Sequence, residues 1–226
     1  ILSLPVLANA LELEFSAGAI QQKPSGYVSY KPQSDTDKID LKNDAHIGDK
    51  TKPWVKLKFE HPIPLLPNIK LSYMPMKFDG SGTLQRDIKW GNYTYSSNAD
   101  YSLSVKLDRF DVTLYHNLPF IKTATAGILD IELGVNVRTI FFDGKLNGTD
   151  KNTGQKVSES KSITLPIPMG HLAAEIKPIP HFSVLGNLNY IGYSKNTYYD
   201  YTLAGRLYAG SFLPLGRLKP FIEAGY

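Results

Sequence analysis

The sequence predicts an all-β protein: an up-and-down antiparallel β-barrel whose strands cross a membrane. Three observations carry that expectation. Apolar and polar residues alternate with a period of two along most of the chain, long polar connections alternate with short proline-rich ones, and the chain opens on an apolar run of the kind that directs export. Successive side chains of a strand point to opposite faces, so the alternation gives each segment one apolar and one ionic face. In residues 128–137, Ile131, Leu133, Val135 and Val137 interleave with Asp130, Glu132 and Asn136. In residues 54–61, Val55, Leu57 and Phe59 interleave with Lys56, Lys58 and Glu60.

Residues 1–10, ILSLPVLANA, end in Ala8-Asn9-Ala10. Small residues at the first and third positions of that triplet fit a signal-peptidase site, so residues 1–10 read as the remnant of a secretory signal peptide and 11–226 as one barrel domain. Hydrophobic residues make up 42% of the chain and mean hydropathy is −0.22. No apolar run approaches the ~20 residues of a transmembrane helix, but alternating strands dilute that signal and leave a barrel open. Fourteen tyrosines against two tryptophans suit rings gathered at membrane–water interfaces. With no cysteine there are neither disulfides nor thiolate metal sites. The net charge of +4 is spread along the chain without a basic stripe, which argues against a nucleic-acid partner.

Taken in order, the alternation predicts nine strands, at 11–20, 53–61, 69–78, 101–116, 128–143, 163–177, 181–193, 198–212 and 219–226. Long polar connections fall at 21–52, 79–100 and 144–162, and short ones at 62–68, 117–127, 178–180 and 213–218, with 194–197 the exception to the alternation. Long loops outside and short turns inside are the asymmetry of an outer-membrane barrel with a periplasmic amino terminus. Single-chain bacterial barrels have even strand numbers, so a closing tenth strand is expected to be missing here, with eight strands as the alternative. In the fourth strand the apolar phase runs Leu103, Val105, Leu107 and resumes as Phe110, Val112, Leu114, which predicts a β-bulge at Asp108-Arg109. Pro166 and Pro168 lie two apart, so their missing N–H groups face one neighbour and predict a weakly bonded seam near the outer rim.

Several stretches carry a family resemblance: PWVKLKFEHPIPLLPNIKLSYMPM, VKLDRFDVTLYHNLP, LDIELGVNVRTIFFDGKL and NLNYIGYSKNTYYDYTLAGRLY. In motif order and spacing from Pro53 onward the chain resembles a thinly characterised group of Gram-negative outer membrane β-barrel proteins. That resemblance implies location and fold rather than an activity.

With apolar faces toward lipid, Val55, Leu57, Phe59, Leu103, Val105, Leu107, Ile131, Leu133, Val135, Val137, Leu203 and Leu207 are the expected lipid-facing set. The expected lumen network is Lys56, Lys58, Lys70, Lys106, Arg138 and Arg206 against Glu60, Asp108, Asp130, Glu132, Glu175 and Glu223. A barrel of this size has an interior barely wider than its side chains, so balanced charges there predict an ionic plug with a structural or binding role, and a narrow small-solute channel as the alternative. The partners so implied are outer-membrane lipids and lipopolysaccharide, and the barrel-assembly machinery during insertion, around a monomer. Neither a cofactor nor an enzymatic activity is expected. His181-Phe182-Ser183 loosely resembles a deacylase motif but falls beside a short turn, and the other histidines show no metal-ligand spacing. A lipocalin-like soluble barrel is the rival from another class. It would turn Ile131, Leu133 and Val135 inward, and alternation alone does not say which face is outside.

Overall fold

Strand pairing follows the alternation. The computed structural model describes residues 11–63, 65–208 and 219–226. The expected signal-peptide remnant, the turn at 213–218 and Pro64 lie outside the described residues. The protein is all-β, 68% strand and 4% helix, with a large antiparallel sheet curled into a half-barrel. Its strands follow chain order: β1 (Glu12–Gln22), β4 (Lys50–Glu60), β5 (Asn68–Met74), β9 (Asp100–Asn117), β10 (Leu129–Thr149), β11 (Lys156–Ile179), β12 (Phe182–Tyr193), β13 (Asn196–Tyr208) and β14 (Phe221–Gly225). A further strand, β6 (Lys77–Thr83), continues the line of β5 along β9. Short antiparallel pairs form between β2 (Tyr27–Val28) and β3 (Ile39–Asp40), and between β7 (Ile88–Trp90) and β8 (Tyr93–Tyr95). The β9–β10 connection holds a short helix, α1 (Pro119–Ala124).

Burial settles which face is which. On β10, Glu132, Asn136 and Arg138 face into the curl at 8, 0 and 1% exposure, while Leu133, Val135 and Val137 face out at 44, 52 and 39%. The same division holds on β4, where Val55, Leu57 and Phe59 are exposed, and on β13, where Leu203 and Leu207 are exposed. Ile131 shares the outward side of β10. This is the reverse of a barrel that encloses an apolar ligand.

Toward the end that carries the long connections, the two sides trade character. Leu146 of β10 and Tyr101, Leu103 and Val105 of β9 face inward and are buried, whereas Ser102, Ser104 and Lys106 turn outward. Leu103 and Val105 are therefore not lipid-facing: at 1 and 2% exposure they sit in an apolar cluster, with Leu107 packed against it. Lys106 and Asp108 are likewise not lumenal. They lie on the outward side of β9, opposite Asp143 and the exposed Phe141, where Lys106 Nζ reaches Asp108 at 3.1 Å.

The expected bulge is absent. β9 runs along β10 in one register from Asn117↔Glu132 to Ser102↔Asn147, through Asp108↔Phe141 and Arg109↔Ile140. What changes at Asp108-Arg109 is the chemistry of each face and not the backbone phase. The interruption falls on the neighbouring strand, at Pro75-Met76, where the Asp108 carboxylate accepts Met76 N–H and Tyr73 O–H, each at 3.1 Å.

The long connections are packed rather than loose. Ile39, Ala45 and Ile47 from the first, and Trp90 and Tyr95 from the second, are buried against Leu103 and Val105 of the wall. A Cβ on Gly80 of β6 would come within 2.1 Å of the Ala45 carbonyl oxygen, so a glycine there lets the first connection rest directly on the sheet. Above Met169 the edge of β11 has no partner among the described residues, since pairing with β12 begins at Gly170↔Tyr190. Pro166 and Pro168 lie on this one-sided stretch, where a missing N–H breaks no ladder toward β12.

Asp37 anchors the first connection. Its buried carboxylate accepts N–H bonds from Gln33 at 2.7 Å, Ser34 at 2.9 Å and, across the lobe, Lys89 at 2.9 Å. Burial acts to raise this carboxyl, but the three N–H donors outweigh it and hold it below the usual carboxylate range. A depressed folded value means that the stabilisation is complete above the unfolded value near 3.9 and fades as pH falls below it. The lobe should thus lose protection of its amides below about pH 4 before the sheet does, and Asp37→Asn should show the same loss at neutral pH, as read by hydrogen exchange.

Candidate functional site: the ionic interior

The inward faces of nine strands converge on one network of charges, and each sheet position contributes by parity. Lys56, Lys58 and Glu60 come from β4, Lys70 from β5, Glu132 and Arg138 from β10, and Glu14 from β1. Three groups of contacts stack along the interior.

Nearest the short-turn end, Lys122 of α1 pairs with Asp130 at 2.6 Å, and Asn117 bridges Asp130 to Glu60. Glu60 accepts the Tyr115 hydroxyl at 2.9 Å and Lys58 Nζ at 3.0 Å. Glu132 is the hub above: Lys58 reaches one carboxylate oxygen at 2.9 Å and Lys70 the other at 2.8 Å. Both ammonium groups also stand over the Tyr115 ring, at 5.6 and 4.9 Å from its centre. Gly134 lies opposite Tyr115, and a Cβ there would come within 2.1 Å of the Leu114 carbonyl oxygen, so this glycine lets the two strands approach closely.

Two arginines act as crossbars. Arg138, 1% exposed, reaches Asp111 of β9 at 2.8 Å, Asp200 of β13 at 2.7 Å and the Tyr198 hydroxyl at 3.2 Å. It thereby ties one wall of the curl to the other just beneath the apolar cluster. Arg206 of β13 holds Glu14 of β1 through both terminal nitrogens, at 2.8 and 3.0 Å, and Glu223 of β14 at 2.7 Å. Among the described residues no backbone ladder joins β1 to β14, and the ends of the sheet meet through this fork and through Lys56, whose Nζ lies 3.6 Å from Glu14 and 3.9 Å from Glu223. Guanidinium is suited to that work, because its planar donors match a carboxylate two at a time.

Across from the long charged side chains the wall is made of small residues, including Ala173, Asn187, Thr202 and Ala204. A chamber of about 90 Å³ remains between them, bordered by Lys56, Arg206 and Glu175. Glu175 itself accepts the Tyr208 hydroxyl at 2.7 Å.

Ten of the twelve expected lumen residues thus line the interior, and Lys106 and Asp108 do not. Glu14, Asp111, Asp200, His171 and Asn189 belong to the network and were not expected. The signal for them was available: Asp200 shares parity with Arg206, and Asp111 falls on the polar phase set by Phe110, Val112 and Leu114. The His181-x-Ser183 pair puts Ser183 opposite Arg206 and wholly buried. Among the described residues no group of three or more His, Cys, Asp or Glu is placed to hold a metal ion. No protein-family model and no curated protein matches the chain.

Removing one member of a buried pair leaves its partner uncompensated, at roughly 3–5 kcal/mol. Arg206→Leu should lower unfolding stability by that order, and adding Glu14→Gln, which leaves Lys56 with Glu223, should restore most of it. Urea titrations of the single and double variants check this.

Proposed function

We propose that the chain is an integral β-barrel protein of the Gram-negative outer membrane, ten-stranded when closed, with a charge-plugged interior and a packed lobe at the cell surface. Its role is structural or binding rather than catalytic. The observation that carries this reading is the exposed apolar belt wrapped around an ion-paired interior. On β10 that belt runs from Ile131 to Phe141, ten residue steps. At ~3.3 Å per step and a strand tilt of 35–45°, it stands about 25 Å tall, the height of the apolar band of outer-membrane barrels. An aqueous solvent offers no reason to expose Leu133, Val135, Leu203 and Leu207 together while withdrawing Arg138 and Arg206.

β1 and β14 run in the same direction at the two ends of an antiparallel sheet. One strand antiparallel to both would close it, which is why ten is the preferred count. In this reading the short turns and the amino terminus are periplasmic and the lobe is outside. Lipids and lipopolysaccharide surround a monomeric belt, and the assembly machinery inserts it. The resemblance of the motifs from Pro53 onward to Gram-negative outer membrane barrels points the same way.

A narrow small-solute channel is the second reading, favoured by the chamber beside Arg206. Planar-bilayer recording separates the two. Inserted protein should be silent, and discrete salt-dependent openings would replace the plug with the channel. The membrane itself is tested by Val135→Lys, which should destabilise the refolded barrel by roughly 2–4 kcal/mol if Val135 lies near mid-membrane. Unchanged heat-modifiable gel migration would count against a lipid-facing Val135.

A further inference from the structure

The β10–β11 hairpin rises past its neighbour. β11 pairs with β10 from Lys156 to Ile176, but with β12 only from Gly170 onward. Its other edge, from Lys156 to Met169, has no strand beside it among the described residues. The ladder fixes which backbone groups point to that edge. Lys177 N–H donates to the Ile128 carbonyl on the β10 side at 2.7 Å, and hydrogen-bonding direction alternates along a strand. Odd positions therefore bond β10, and even positions turn their N–H and C=O to the open edge. Pro166 and Pro168 are two of these even positions. They stand opposite Thr139 and Val137, within the height of the apolar belt, where an unpaired N–H would meet lipid. Proline removes that donor. Above the belt the pattern changes. Ser158, Ser160, Ser162 and Thr164 are exposed, and neither a proline nor a charge at these positions blunts the edge.

The side chains on either face of this stretch say what fits it. On the inward face the lobe covers β11 as far as Lys161: Val157 packs against the apolar cluster, Glu159 accepts Asn92 Nδ2 at 3.0 Å, and Lys161 Nζ stands 5.9 Å from the Tyr30 ring centre. Ile163 and Leu165 follow on the same face, between that cover and the buried Met169, yet are 47 and 50% exposed. What they lack is a neighbour on the β12 side. We propose that the edge from Ser158 to Thr164 takes an added β-strand, an extended peptide segment of another protein. Its backbone bonds the four even residues, its inward side chains are apolar against Ile163 and Leu165, and its outward ones are hydroxylic or β-branched beside the serines. An extended polypeptide presents donors and acceptors at the same repeat of about 6.6 Å, which neither acyl chains nor glycans do. A second copy fits badly, since antiparallel pairing of two β11 edges would invert one copy relative to a shared membrane. The edge itself does not depend on the proposed function, whereas its place outside the cell rests on that reading.

The test is residue-resolved hydrogen exchange on the protein in detergent micelles. Without a partner, the Ser158, Ser160, Ser162 and Thr164 amides should exchange at least about tenfold faster than those of Val157, Glu159, Lys161 and Ile163. The probe is a peptide of alternating threonine and valine between terminal lysines, N-methylated along one edge so that it does not stack on itself. At millimolar concentration it should slow the four even amides about tenfold, and the same peptide methylated on every nitrogen should not. Ser160→Pro takes away one edge N–H and no β10 bond, so its heat-modifiable migration should match wild type while the protection by the peptide is lost. Even amides already protected in the protein alone, no slowing by the peptide, or equal slowing in Ser160→Pro would each overturn the proposal. A protein that sediments as a dimer with these amides protected would give the edge to a second copy instead. The wild-type amide comparison stands even if the variant fails to fold. Channel openings in a bilayer would remove the plug and leave the exchange pattern of the edge as found.

Discussion

A charge confined inside a curled sheet must meet an opposite charge, and this single constraint organises the molecule. The long side chains of β1, β4, β5 and β10 project into a space with little room for bulk water, so each is positioned by a partner on another strand. Arg138 and Arg206 show how far this goes. One joins opposite walls, and the other joins the two ends of a sheet that have no backbone pairing between them among the described residues. Buried ion pairs add little net stability over apolar packing of the same volume, but breaking one is expensive. Such a network therefore specifies the curl more than it stabilises it. Alternative curvatures would strand Asp200, whose cation, Arg138, comes from a strand that does not neighbour its own.

The second organising feature is the exchange of faces along strands that keep their register. β9 and β10 pass without a slip from a zone with polar interior and apolar exterior into one with the reverse. A bulge would have re-aimed every side chain beyond it, whereas a change of residue type at fixed phase leaves the backbone ladder intact. The boundary falls where Tyr73, Asp108 and Lys106 meet on the outward side. Beyond it the inward apolar residues need cover, and the first two long connections supply it through Ile39, Ile47, Trp90 and Tyr95. The belt and the lobe are thus two answers to one question: which solvent each face meets at that height.

Much of this was legible in the sequence. The main strands, their antiparallel order and the grouping of Lys58 with Lys56, and of Glu132 with Arg138, each on one face of its strand, follow from parity. The errors have a common physical origin. Period-two alternation marks two faces without naming them, so Leu103, Val105 and Leu107 were assigned the lipid side by their apolar character when their facing is inward. Lys106 and Asp108 were assigned inward by the same logic. Counting the phase from residue chemistry rather than from position turned an exchange of faces into an apparent bulge. The long connections were illegible for another reason: their apolar residues are isolated among polar ones, and only the tertiary fold brings Ile39, Ala45 and Ile47 together against Gly80. His171 was missed because a lone histidine carries no spacing signal, although it shares parity with Glu175 on its strand.

The exchange of faces can be read directly by a nitroxide scan along residues 131–147 of β10, in a chain without native cysteines, after reconstitution into bilayers. Odd positions as far as 141 should collide with oxygen dissolved in lipid. From 143 to 147 the odd positions should collide instead with a water-soluble nickel reagent, and even positions should be shielded from both. Odd positions reached by the nickel reagent along the whole scan would contradict a lipid-facing belt and, with it, the account of the interior as a membrane-spanning ionic plug.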